Sequence, residues 1–205
     1  MNIIIVTAFN ILPLTAFVSY FFSFESVPIE YDQFLSFDNA LKIDLFQALQ
    51  IQCDTVQKWI VKQDFSTKLK HGKLQTFWMP IVRGGNATPR FAIEEAIFNL
   101  HNVDKSWFGG KRVVGAEWWV QVKGPRDSIG FHYDKDEGEA STKGVMKHPL
   151  LSTITYLTDN GSPTVIFNMT TDGNFDAPTI PTTAYISFPK RNRHTIFRCN
   201  FLLYP

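Results

Sequence analysis

His132 and Asp134, in the stretch Phe131-His132-Tyr133-Asp134-Lys135-Asp136-Glu137, are the residues whose types and spacing could do chemistry. The stretch follows a run rich in β-forming residues, and in an extended chain side chains two apart project to the same face. An imidazole and a carboxylate aimed at one point are two of the three ligands of the facial triad that holds non-haem Fe(II). The same spacing also fits a polar loop whose histidine caps a strand end. Deciding between the two needs a β-rich scaffold, a third ligand and a pocket for a cosubstrate.

The other reactive side chains read first as scaffold. His148 precedes Pro149 and a β-prone run, which suits the start of a strand. His71 and His101 fall at or near predicted helix ends, where an imidazolium complements the helix dipole. Lys135, Asp136 and Glu137 form a solvated loop, with contact to a substrate as the alternative. Arg83-Gly84-Gly85-Asn86 lacks the flanking strand and helix that a phosphate cradle needs. Cys53 and Cys199 have no metal-ligand spacing; they are read as two buried thiols, or as a pair in an oxidising compartment.

The elements that must position His132 and Asp134 follow from composition and pattern. A chain of 205 residues suits one domain, with or without a targeting segment. Aromatic residues make up 15% of it, including 19 Phe, which favours the broad packing faces of β-sheets. The formal net charge of +1 gives no electrostatic case for nucleic acid or an anionic membrane surface.

Residues 1–30 form an apolar segment without charge from Ile3 to Phe24, long enough to cross a bilayer if helical. It has no Lys or Arg ahead of the apolar run and a poor cleavage site behind it. An uncleaved anchor or weak signal is one reading, so membrane association through residues 1–24 and a place in the secretory pathway stay open. A strand or helix within the domain, or a misplaced start codon, is the other. Asn86 and Asn168 each begin a glycosylation triplet, which matters only in a secreted chain.

Residues 31–205 are read as a single domain, helical over 31–110 and β over 111–205. From about Ser36 the spacing of Leu41, Leu45 and Leu49 predicts a helix that Asp38 can cap. A second is predicted from Asp54 to about Lys70. Thr88-Pro89 opens a third, with Ile93, Ala96, Ile97 and Leu100 as its apolar stripe and Arg90, Glu94 and Glu95 toward water. After the loop Trp107-Phe108-Gly109-Gly110, strands are predicted over 113–122, 151–157, 164–168, 182–188 and 195–203, with a loop over 136–147. The turn Asp159-Asn160-Gly161-Ser162-Pro163 predicts an antiparallel hairpin. Short strands after helices give an α+β, mainly β class: a jelly-roll or barrel with an N-terminal helical layer.

His132 to Glu137, His148 to Leu157, Gly161-Ser162-Pro163-Thr164, and Phe188-Pro189 running to His194 together resemble the 2-oxoglutarate- and Fe(II)-dependent oxygenases of the double-stranded β-helix type. The resemblance spans about residues 115–205, and its most specific part is the order of these pieces. It implies iron held by His132, Asp134 and a distal histidine, for which His194 is the only one after His148. It further implies 2-oxoglutarate and dioxygen as cosubstrates and hydroxylation of an unknown substrate.

The chain departs from the family at two points. There a Leu-Leu-His-Gly type of sequence follows the segment equivalent to 193–197, and its histidine is the ligand; here Leu202-Leu203-Tyr204 stands near that place. A site with only two ligands is therefore the alternative to His194. A basic residue beyond the distal histidine anchors 2-oxoglutarate in the family, and Arg198 is the only one here. Tyr156 offers a hydroxyl to the cosubstrate or is a core aromatic, and Lys190, Arg191 and Arg193 read as a solvated basic turn. Missing final strands would leave a barrel edge unpaired. A non-catalytic relative with an incomplete site and a cupin-like metal enzyme without 2-oxoglutarate are the rival readings.

Overall fold

The computed structural model describes residues 14–21, 33–62, 76–81, 89–122, 130–170, 180–198 and 201–204. In chain order the elements are β1 (Leu14–Phe21), β2 (Phe34–Phe37), α1 (Ile43–Lys62), β3 (Phe77–Pro80), α2 (Ala92–Asp104), β4 (Gly115–Val122), α3 (Glu137–Lys143), β5 (Pro149–Tyr156), β6 (Thr164–Thr170), β7 (Ala184–Ser187), β8 (Arg193–Phe197) and β9 (Phe201–Tyr204). Strands β2-β8-β5-β1-β4-β3 form one sheet and β7-β6-β9 a second. All pairings are antiparallel. A bridge between His132 and Leu203 extends the small sheet beyond β9.

From β4 onward the chain crosses repeatedly between the sheets. β4 lies in the large sheet, His132 at the edge of the small one, β5 in the large, β6 and β7 in the small, β8 in the large and β9 in the small. The predicted hairpin of β5 and β6 is thus not formed. β5 pairs with β1 and β8, β6 pairs with β7 and β9, and the turn at 159–163 carries the chain from one sheet to the other. The strand predicted over 195–203 divides for the same reason, into β8 and β9 in different sheets.

β1 stands between β4 and β5, paired along its length with both. Residues 14–21 of the apolar segment are therefore a strand within the large sheet. Among the described residues no helix is long and apolar enough to cross a membrane.

Side-chain alternation gives the large sheet two faces. Leu151, Leu157, Ile196, Ala116 and Val120 face outward onto Phe46, Leu49 and Cys53 of α1 and Ile93, Ala96, Ile97 and Leu100 of α2. Ile154, Tyr156 and Phe197 face inward onto Ile166 and Leu203 of the small sheet. The fully buried Leu, Ile and Phe side chains among them each contribute about 1.5–3 kcal/mol. Burial also pushes the Cys53 thiol pKa up, so it is an inert core thiol.

The helical layer differs from expectation in its boundaries. Residues 34–37 pair with β8 as a strand, and α1 runs unbroken through Asp54, since no Gly or Pro interrupts it. Asp38 does not cap a helix; its carboxylate accepts from Lys190 and Arg193. These partners, Arg193 foremost, hold its pKa down to about 2. The basic turn is thereby tied to the helical side, with Arg191 donating to Gln50.

In α2 the predicted stripe is buried, but Glu94 is buried too. It reaches back to accept from the Arg90 backbone N–H at 2.8 Å, and its other oxygen meets the Arg90 guanidinium at 2.6 Å. No side chain caps Phe91 at the helix start, and the first-turn N–H of Ile93 donates to Gln52 of α1 at 2.8 Å; Thr88, the expected cap, lies outside the described residues, as does the loop at 83–86. The loop predicted over 136–147 contains α3. Asp136 caps it by accepting from Glu139 N–H, Gly144 ends it in the left-handed region at φ 65°, and Lys143 pairs with Glu139 one turn back.

Candidate functional site

His132 and Asp134 lie where the chain passes from β4 toward β5, and the bridge to Leu203 fixes the backbone at His132. Gly130, at φ 79°, turns its carbonyl toward the imidazole, and Nδ1 donates to that oxygen at 3.1 Å. In the neutral ring this leaves the Nε2 lone pair free. Asp134 accepts the Ser152 hydroxyl on Oδ2 at 2.5 Å, and its Oδ1 faces the imidazole.

The facing atoms, Nε2 and Oδ1, are 3.7 Å apart. That is too long for a hydrogen bond. Metal bonds of about 2.1 Å set two ligand atoms about 3.0 Å apart at a right angle and about 3.4 Å apart at a tetrahedral angle, so one divalent ion would be held once the side chains close by a few tenths of an ångström. Each ligand is held by a hydrogen bond on its other polar atom, the support that metal-binding side chains need. Asp134 is buried, whereas the His132 side chain keeps 30% of its surface exposed, which opens the pair to solvent.

His194 does not join them. It sits in β8 opposite Thr155 and Phe37, with its side chain wholly buried. Its Nε2 donates to Asp104 Oδ1 at 3.2 Å, and its Nδ1 lies 2.7 Å from Thr155 Oγ1. Thr155 is three residues from Ser152 along β5, so the two side chains leave opposite faces. Asp134 approaches the inward face and His194 the helix-covered one. Directly opposite His132 in β9 stands Leu203, buried and apolar. Among the described residues no three His, Cys, Asp or Glu side chains converge on one metal site.

The two residues expected to serve the cosubstrate are elsewhere engaged or displaced. Tyr156 points inward but its hydroxyl lies 2.9 Å from the Ser187 carbonyl and 3.1 Å from Thr164 Oγ1; burial raises its pKa. Arg198 follows β8, one residue past the inward-facing Phe197, and its backbone N–H donates to Gln33 O. Alternation sends its side chain to the face shared with His194.

His148 is closer to the pair than expected of a strand start. Its Nδ1 donates to the Asp134 carbonyl at 2.8 Å, and its ring meets Tyr133 at 6.0 Å, on the side of the strand away from the pair. Burial lowers its pKa. His71, Cys199, Asn86 and the side chain of Tyr204 lie outside the described residues. Asn168 uses its amide to bind Thr182 and Thr183.

Ser152 and Asp104 were not singled out from sequence. The signal for Ser152 was a hydroxyl inside the apolar run Leu150-Leu151-Ser152, and for Asp104 a carboxylate closing an amphipathic helix. Comparison with family models, curated proteins and solved structures gave no match.

Proposed function

We propose that the chain folds as a double-stranded β-helix in which His132 Nε2 and Asp134 Oδ1 seat a divalent ion, and that it acts as an Fe(II)- and 2-oxoglutarate-dependent dioxygenase on an unknown substrate. The observation that carries the reading is the facing pair of ligand atoms, His132 Nε2 and Asp134 Oδ1, 3.7 Å apart, with each side chain backed by a hydrogen bond on its other polar atom. The crossing of the chain between two antiparallel sheets supports the scaffold. Iron with 2-oxoglutarate would supply oxidative chemistry there. The protein's own part is to hold the imidazole tautomer through Gly130, hold the carboxylate through Ser152, and shield the inner side of the pair with Ile154 and Leu203. On this reading the third ligand and the 2-oxoglutarate anchor are residues other than His194 and Arg198.

A second reading, a non-catalytic scaffold with a two-ligand site, is favoured by Leu203 standing opposite His132. Binding of Fe(II), followed anaerobically by calorimetry, and succinate release dependent on 2-oxoglutarate test both. Metal binding that is lost in Asp134→Ala, together with succinate release, is the expected result. Metal binding without succinate release leaves the two-ligand scaffold, and no metal binding sinks both metal readings.

A further inference from the structure

β4 turns two polar groups toward the space between the sheets that no described residue satisfies. Trp119 and Gln121 are each 8% exposed, and Trp119 Nε1 and Gln121 Oε1 are buried without a hydrogen-bond partner. Register places both on the inward face: Trp119 lies across Phe17 from Ile154, and Gln121 across Thr15 from Tyr156. Ile154 and Tyr156 belong to the cluster between the sheets, whereas Ala116 and Val120, on the alternate positions of β4, pack against the helices.

A buried donor or acceptor left unpaired carries its full desolvation penalty. Trp119 and Gln121 stand two residues apart on one face, so their Cα atoms are about 7 Å apart along the strand, and their longer side chains offer one indole N–H donor and one amide oxygen acceptor to a bound group. The charge of the surroundings selects that group. Arg193, in register with Tyr156, gives its guanidinium to Asp38 and to the Phe188 carbonyl. Asp134 lies against the same face at Ser152. An anion would meet a carboxylate and a cation already neutralised.

We propose that Trp119 and Gln121 form a subsite between the sheets for a small neutral molecule, whose hydroxyl or carboxamide accepts from the indole N–H and donates to the amide oxygen. The subsite goes beyond the metal reading and does not depend on it.

The test uses the full chain with 15N-labelled tryptophan. The indole resonance of Trp119 is identified by its loss in Trp119→Phe, then followed while acetamide, ethylene glycol or 2-oxoglutarate is added. The expected result is a saturable shift with acetamide or ethylene glycol, with affinity falling about fivefold to tenfold in Gln121→Leu, and the same shift when EDTA is present. Acetamide acting alone identifies a carboxamide ligand, and ethylene glycol acting alone a hydroxyl ligand. Unmoved indole resonances of the other tryptophans show that each variant is folded, and Gln121→Met serves where Gln121→Leu is not. A resonance unmoved by both neutral probes identifies a buried structural water and overturns the proposal. So does a shift with 2-oxoglutarate alone, or one that Gln121→Leu leaves intact.

Discussion

Two imidazole–carboxylate pairs occupy opposite faces of the same sheet system. His132 and Asp134 stand 3.7 Å apart, beyond a hydrogen bond, with part of the imidazole in solvent. His194 and Asp104 stand 3.2 Å apart with no exposed side-chain surface, and the second imidazole nitrogen meets Thr155. The residue types are the same, and what differs is what the remaining polar atoms do. Around His132, Gly130 and Ser152 hold the outer atoms, and the facing ones stand beyond hydrogen-bond distance of each other. Around His194 the pair closes on itself and joins α2 to β8. The lesson is that a ligand pair is recognised by whether its facing atoms close on each other.

The largest effect separates the pairs by stability. Asp104→Ala strands a fully buried imidazole and should cost about 3–5 kcal/mol in urea unfolding. If it costs less than about 1 kcal/mol, the closed pair is not the latch described here. Next in size is the response to metal. At a hundredfold excess over its Kd, Mn(II) should stabilise the wild-type chain by about 2.7 kcal/mol, and Asp134→Ala should abolish the gain while costing about 1–2 kcal/mol without metal. Equal losses in the two aspartate variants, with no metal response, would make the open pair scaffold as well. Ser152→Ala should cost about 1 kcal/mol and weaken Mn(II) binding about 10-fold to 100-fold in calorimetry, because Asp134 loses the bond that orients it.

The smallest effect tests the tie between the basic turn and the helical side. The Asp38 pKa is lowered from 3.8 to about 2 in the folded chain. Its contribution is therefore fully present above about pH 4 and is lost as pH falls through about 2. Asp38 is exposed, so screening limits this to about 0.5–1 kcal/mol. Asp38→Asn should flatten the acid limb of stability by that amount.

How much of this was legible in the sequence depended on whether a residue's position is set locally. The common face of His132 and Asp134 follows from a period of two, which any extended segment obeys. The stripe Ile93, Ala96, Ile97 and Leu100 follows equally from the helical period. The signals for α3 were local too, Asp136 as cap and Gly144 as stop, but the polar composition between them favoured a loop. The face that His194 takes is not local. It is set by pairing with Thr155 and Phe37, far away in sequence, so spacing gave its distance from Asp134 and not its direction. The turn at 159–163 has hairpin chemistry, yet sheet membership of β5 and β6 is decided by β1, β8 and β9.

The place of β1 has a consequence in time. Leu14 pairs with Val122 and Thr15 with Tyr156, partners made more than a hundred residues later. At a synthesis rate of about 5–20 residues per second, the first strand waits on the order of 10 s for its neighbours. During that wait an apolar strand has both edges unpaired, the condition in which chains associate wrongly or need a chaperone. When β4 and β5 arrive, two long loops must close before the ladder repays them, so the middle of the large sheet should be the slow step of folding.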